Sequence, residues 1–94
     1  MREFSASRLV RGNELVPTKI IITDTGVLIR EPGFFRGQER FIPFRHISSV
    51  QIDTPFIGYS TIEIQTTGQY LFSVHGFNSY EVKAMRELIM QNIY

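Results

Sequence analysis

Apolar and polar residues alternate along this chain in short segments that are separated by turn residues. Glycine, proline, asparagine and aspartate recur at intervals of roughly 8–12 residues, a spacing typical of β-sandwiches and β-barrels. The segments between them are rich in β-branched and aromatic residues, which favour β-strands. We therefore predict seven strands, at residues 4–10, 15–23, 27–30, 39–44, 47–52, 59–65 and 70–74.

Two of the predicted strand connections have clear hairpin signals. The polar loop at residues 24–26 ends on Gly26, which we expect to adopt a positive φ. Ile62 and Ile64 alternate with polar neighbours, and the same period of two continues after the turn at residues 66–68. These two segments should form a hairpin with one dry face, and the pattern ends at residues 75–76.

After residue 78 the apolar period changes from strand to helix. Val82, Met85 and Ile89 recur at helical spacing and predict an amphipathic helix over residues 79–92. Asn78 and Glu81 have the spacing of a capping box, in which each residue satisfies a main-chain amide of the other. A helix of this kind can cover the open end of a bent sheet.

Composition excludes several classes of protein. The sequence is 43% hydrophobic, which is too apolar for a disordered chain. Its 94 residues are the length of a single domain, which we place over residues 1–94. The net charge of +1 gives no reason to expect nucleic-acid binding. The chain has no cysteine, which excludes disulfides and thiolate metal sites and fits a reducing compartment. It also lacks a signal-peptide core, so we expect a cytoplasmic protein.

Several stretches resemble the bacterial pleckstrin-homology-like (PH-like) domains. The resemblance extends over residues 19–93, and the segments that carry it are TDTGVLI at 23–29, IPFRHISSV at 42–50, GYSTIEI at 58–64 and GF at 76–77. It implies a mainly β fold: a PH-like split barrel of about seven antiparallel strands in two roughly orthogonal sheets, capped by one C-terminal α-helix.

For function, the resemblance implies a non-enzymatic binding or assembly module. Eukaryotic members often bind inositol phospholipids through basic residues of the first hairpin, and some bacterial members form ring-like oligomers. The lipid-binding pattern requires an arginine two residues after a basic residue in the second strand, but Ile21 stands two residues after Lys19. We therefore do not expect inositide recognition.

An arginine- and phenylalanine-rich stretch could contact an anionic surface. The candidate residues are Phe34, Phe35, Arg36, Arg40 and Arg45. The aromatic rings would insert into a membrane while the guanidinium groups meet phosphates. The alternative is that the stems of these arginines and of nearby Arg30 cover apolar surface and that their heads pair with Glu31 and Glu39.

A second set of residues could form a protein interface. Phe56 and Ile57 lie in an apolar loop, while Met90 and Tyr94 lie off or beyond the main stripe of the helix. Exposed apolar side chains of this kind can pair with another protein or with a second copy of the chain.

Catalysis and metal binding have little support. His46 lies near Ser48, with Asp53 seven residues further on, and on a strand His46 and Ser48 would share a face. That spacing allows a hydrolase-like site but says little by itself. The two histidines are far apart in sequence, and we expect no catalytic residues, metal or cofactor. The sequence therefore favours a protein-interaction or self-assembly module, with anionic-membrane binding as the alternative.

Overall fold

The computed structural model describes residues 1–6, 18–31 and 38–93. Their elements, in chain order, are strands β1 (Arg2–Ser5), β2 (Lys19–Ile22), β3 (Gly26–Glu31) and β4 (Gln38–Pro43), a 3-10 turn (Phe44–His46), strands β5 (Ile47–Asp53), β6 (Ser60–Thr66) and β7 (Leu71–Phe77), and helix α1 (Ser79–Ile93).

The seven strands form two antiparallel sheets. The first has the order β1-β2-β3-β4 and the second the order β5-β6-β7, so each strand pairs with its sequence neighbour. Within the described ranges, no strand of one sheet pairs with a strand of the other. The arrangement confirms the predicted PH-like split barrel with a C-terminal helix.

Alternation along the strands places one continuous core between the sheets and the helix. Ile62 and Ile64 are buried, while the alternating residues Thr61, Glu63 and Gln65 are half-exposed, as the period of two predicts. In β2, Ile20, Ile21 and Ile22 are all buried, as expected for an unbroken apolar run. The helix adds the predicted stripe of Val82, Met85 and Ile89, each 0% exposed. Predicted residues 7–10 and 15–17 lie outside the described ranges.

The loop between β2 and β3 is held by one threonine side chain. The Thr23 hydroxyl donates to the carbonyl of Gly26 at 3.1 Å and accepts from the Gly26 amide at 3.1 Å. The prediction of a positive φ at Gly26 was wrong. Among the described glycines, Gly58 and Gly76 have a positive φ and Gly26 does not. Gly26 is needed for close approach instead, since an added Cβ would lie 2.7 Å from the Phe41 ring and 2.9 Å from Pro43 Cα.

Gly76 was expected to end the strand pattern, but β7 continues to Phe77. Ser60 pairs with Phe77 and Thr61 with His75, so Gly76 is the extra residue of a β-bulge. Its φ of 119° is one that glycine adopts readily. The bulge lets the strand run directly into the helix.

The start of α1 follows the predicted capping arrangement in part. The main-chain amide of Asn78 donates to Glu81 Oε1 at 2.9 Å, which is one of the two hydrogen bonds of a capping box. The Asn78 side chain was predicted to accept from a main-chain amide of the first helical turn. Instead, its Nδ2 donates to the Tyr80 hydroxyl at 3.3 Å. The described ranges contain one α-helix, α1. It is not long and apolar enough to cross a membrane.

Candidate functional site

The loop between β5 and β6 presents two large apolar side chains to solvent. Phe56 is 102% exposed and Ile57 is 84% exposed, and we call this pair the loop tip. Gly58 follows with φ 104°, and a Cβ added there would meet nothing within 4 Å. The loop therefore turns sharply and stands away from the rest of the domain.

Met90 belongs to a different part of the surface. The loop tip leads into Ser60, whose partner Phe77 lies just before the start of α1. Met90 is half-buried in the last turn of that helix, about 16 Å further along its axis at 1.5 Å per residue. Of the predicted interface residues, Phe56 and Ile57 are thus adjacent and exposed, Met90 is half-buried near the end of α1, and Tyr94 lies outside the described residues.

A groove opens between the edge of β4 and the turn that joins β6 to β7. Its volume is about 350 Å³, and we call it the β4 groove. Three strands and the 3-10 turn contribute to its lining, which consists of Phe41, Ile42, Pro43, His46, Thr66, Thr67, Gly68, Tyr70 and Phe72. The lining is thus largely aromatic and aliphatic, with a histidine on one side.

The aromatic walls of the β4 groove are accessible to a partner. Tyr70 is 70% exposed and Phe41 is 49% exposed. Arg40 adds a positive charge, because its guanidinium carbon lies 5.9 Å from the centre of the Phe72 ring. This cation–π contact spans from β4 to β7 and so links the two sheets at the groove. Among the residues that line the groove there is no carboxylate.

On its side away from β3, the main chain of β4 pairs with no other strand of the described ranges. The Thr23 amide donates to the Gly26 carbonyl at 2.9 Å, so the main chain of Gly26 is turned toward β2. Alternation along the β3–β4 ladder, in which Gly26 is opposite Pro43, then turns the amide and carbonyl of Phe41 away from β3. An edge strand of this kind can bond to an incoming chain.

The predicted anionic-surface residues are only partly described. Phe34, Phe35 and Arg36 lie outside the described residues, whereas Arg40 and Arg45 are both exposed. The alternative prediction for this stretch is confirmed at one pair, since Arg30 Nε donates to Glu39 Oε1 at 2.7 Å. Neither Arg40 nor Arg45 forms an ion pair within the described ranges.

The geometry expected for a hydrolase-like site at His46 was wrong. His46 lies in the 3-10 turn rather than on a strand, so it does not share a strand face with Ser48. The Ser48 hydroxyl donates to the Gln65 carbonyl at 3.1 Å. Asp53 is at the far end of β5, about 20 Å away at 3.3 Å per residue. In the part of the chain that the structure describes, no three acidic, histidine or cysteine side chains are grouped to hold a metal.

Sequence reasoning did not identify the β4 groove, although it singled out two of the residues there, His46 and Arg40. Phe41 and Phe72 were assigned to their own strands, and their separation of thirty-one positions gave no reason to associate them. The available signal was the isolated aromatic Tyr70 after a tight turn. The sequence placed Tyr70 within the predicted strand over residues 70–74, whereas its side chain is exposed just before β7 begins.

Comparison with protein families gives one match that extends over most of the chain. A family model described as the bacterial PH domain matches residues 9–93. Comparison with curated proteins gives no match. Comparison with solved structures gives none either.

Proposed function

The chain belongs to the bacterial PH domain family, and from that premise we propose that it is a non-catalytic protein-interaction or self-assembly module of the cytoplasm. The loop tip is the observation that carries this proposal. Phe56 and Ile57 are adjacent, and each exposes more than four-fifths of its surface. A domain of this size gains nothing in folding from two such side chains.

Binding is what would make these side chains favourable. Burying a phenylalanine or an isoleucine against a partner is worth about 1.5–3 kcal/mol each. A pair of neighbouring apolar residues can therefore act as the hot spot of a small interface. The main chain of β4, an edge strand of the described sheet, offers a second type of contact, of the kind that strand-adding partners use.

The non-catalytic part of the proposal has two supports. His46 is separated from Asp53 by the length of β5, and the Ser48 hydroxyl is bound to a main-chain carbonyl. The cytoplasmic location is supported by the cysteine-free composition, which suits a reducing compartment.

Sedimentation velocity over a wide concentration range tests the proposal, together with pull-down from a bacterial lysate. We expect the wild-type chain to self-associate or to capture a protein, and the variant Phe56→Ser/Ile57→Ser to lose that behaviour. The control is Tyr80→Ser, which removes a 69% exposed aromatic side chain from α1 instead. A strictly monomeric wild-type chain that captures no partner would refute the proposal.

A second candidate function is peripheral binding to anionic membranes. It is supported by Arg40 and Arg45, which are exposed and form no ion pair with the described residues. Liposome co-sedimentation is the test: binding should require anionic lipid, weaken as salt rises and fall in Arg36→Ala/Arg40→Ala. Equal binding to neutral and anionic liposomes would rule this function out.

A further inference from the structure

We propose that the loop tip of one copy docks into the β4 groove of a second copy. This inference rests on the proposed function and makes it specific. The projecting element is the pair Phe56 and Ile57, and the receiving element is the groove between Phe41 and Tyr70. The interface joins two different surfaces of the same chain.

The two elements lie at opposite ends of one strand. The loop tip precedes Ser60, the first residue of β6, while the groove includes Thr66, the last residue of that strand. Seven residues of extended chain span about 20 Å. A loop tip therefore cannot reach the groove of its own chain, and the contact must form between copies.

The dimensions of the two surfaces agree. The β4 groove has a volume of about 350 Å³, at the lower end of the roughly 300–1,000 Å³ typical of binding pockets. One phenylalanine side chain fits in such a space, where its ring would meet the rings of Phe72 and Tyr70. Aromatic pairs of this kind favour edge-to-face or offset contacts. The amide and carbonyl of Phe41, which pair with no strand of the described ranges, can bond to the main chain of the incoming loop.

Charge also distinguishes the two surfaces. From residue 53 to residue 59 the loop carries one charged residue, Asp53, which is exposed. His46 belongs to the lining of the groove, which has no carboxylate, and Arg40 lies beside the lining, with its guanidinium carbon 5.9 Å from the centre of the Phe72 ring. Nearby Glu39 is already paired with Arg30 at 2.7 Å. Asp53 of one copy and Arg40 of the next are therefore complementary.

An interface between two different surfaces has a defined consequence for assembly. After one contact forms, one copy still has a free groove and the other still has a free tip, so further copies can add head to tail. Such a series closes into a ring if the rotation between copies allows it, and otherwise extends as a filament. A two-fold rotation closes the series at two copies, with both tips and both grooves occupied.

Single substitutions in the β4 groove test the docking by sedimentation velocity. Tyr70→Ala should weaken self-association at least tenfold, because it removes one wall of the groove. Its control is Tyr80→Ala, which deletes an equally exposed tyrosine from α1 and should associate like the wild-type chain. Arg40→Glu should also weaken association, with Arg86→Glu on the exposed face of α1 as the matched control.

Mixing variants gives the sharper result. The tip variant Phe56→Ser/Ile57→Ser retains an intact groove, and Tyr70→Ala retains an intact tip. Each alone should be monomeric, while their equimolar mixture should form a complex that stops at two chains. The double variant Arg40→Glu/Asp53→Arg should regain the association that Arg40→Glu loses. Circular dichroism of each variant verifies that the fold is retained.

The results separate this inference from the proposed function. If the tip variant loses association while Tyr70→Ala and Arg40→Glu retain it, the groove is not the receptor and only the proposed function stands. A mixture of monomeric tip and groove variants that fails to form the two-chain complex also overturns the docking. A monomeric wild-type chain overturns the docking, and if pull-down also recovers no partner, the proposed function falls as well.

Discussion

Gly26 lies where β3 passes close to β4, and replacing it with alanine should strongly destabilise the fold. An added Cβ would overlap the carbonyl oxygen of Ile42 and would lie 2.9 Å from Pro43 Cα. Both are main-chain atoms, which cannot rotate away as a side chain can. The third neighbour, the Phe41 ring at 2.7 Å, can move only by leaving the surface of β3. The two strands must therefore separate at this point.

The expected loss in the free energy of unfolding combines two effects. Forcing an extra methyl group into a closely packed position costs about 1–3 kcal/mol. Separation of the strands also endangers the hydrogen bond from the Phe44 amide to the Thr25 carbonyl, now 3.1 Å long, whose loss costs about 1 kcal/mol. The total is about 2–4 kcal/mol. For a chain of this length each kcal/mol lowers the melting temperature by about 4–8 °C, so we expect a decrease of about 10–30 °C.

Thermal and urea denaturation, followed by circular dichroism, measure this loss. Two glycines provide matched controls. Gly68→Ala should change stability by less than about 0.5 kcal/mol, because the nearest atoms to its added Cβ are 3.8 Å away. Gly58→Ala meets no atom within 4 Å but has φ 104°, so it should cost about 1 kcal/mol through backbone strain alone.

The order of the three variants is the decisive result. If Gly26→Ala were as stable as Gly68→Ala, the close approach of β3 and β4 would not constrain the side chain at this position. A loss at Gly26 no larger than that at Gly58 would show that β3 and β4 move apart at little cost, which would contradict the overlap argument.

Three further changes test other parts of the fold. Ser60→Ala should leave stability unchanged or raise it by up to about 1 kcal/mol, because the Ser60 hydroxyl is buried without a partner among the described residues. Urea denaturation measures this change, and a clear loss of stability would mean that the hydroxyl has a hydrogen-bond partner. Glu81→Ala should cost about 0.5–1 kcal/mol by removing the acceptor of the Asn78 amide, while Glu81→Gln, which retains an acceptor, should recover most of it. A double-mutant cycle on Arg30 and Glu39 should give a coupling free energy below about 1 kcal/mol that decreases in high salt, because both side chains are exposed. A larger coupling free energy that does not depend on salt would contradict this account.

Local patterns determined much of the architecture. The period of two at Ile62 and Ile64 and the helical period at Val82, Met85 and Ile89 each follow from the geometry of a single element. Such periods are properties of neighbouring residues, so they can be read without knowledge of the rest of the fold. The same holds for the bond between Asn78 and Glu81, whose members are three positions apart.

Tertiary structure decided which residues meet across the gap between the sheets. Arg40 contacts Phe72 on a different sheet, and Phe41 and Tyr70 line one groove, although no local pattern relates these pairs. It also decided why particular glycines are needed. Sequence alone indicated a turn at Gly26, but the physical requirement is the space between β3 and β4.

The loop tip and the β4 groove show the same division between local and tertiary information. That residues 55–58 form an apolar loop was evident from the sequence, because proline and glycine enclose two large apolar side chains. That the receiving groove lies at the other end of β6 depends on the register of β6 with β7 and on how the edge of β4 approaches that hairpin. Pairing register and sheet packing depend on contacts between residues distant in sequence, and these form only when the whole chain folds.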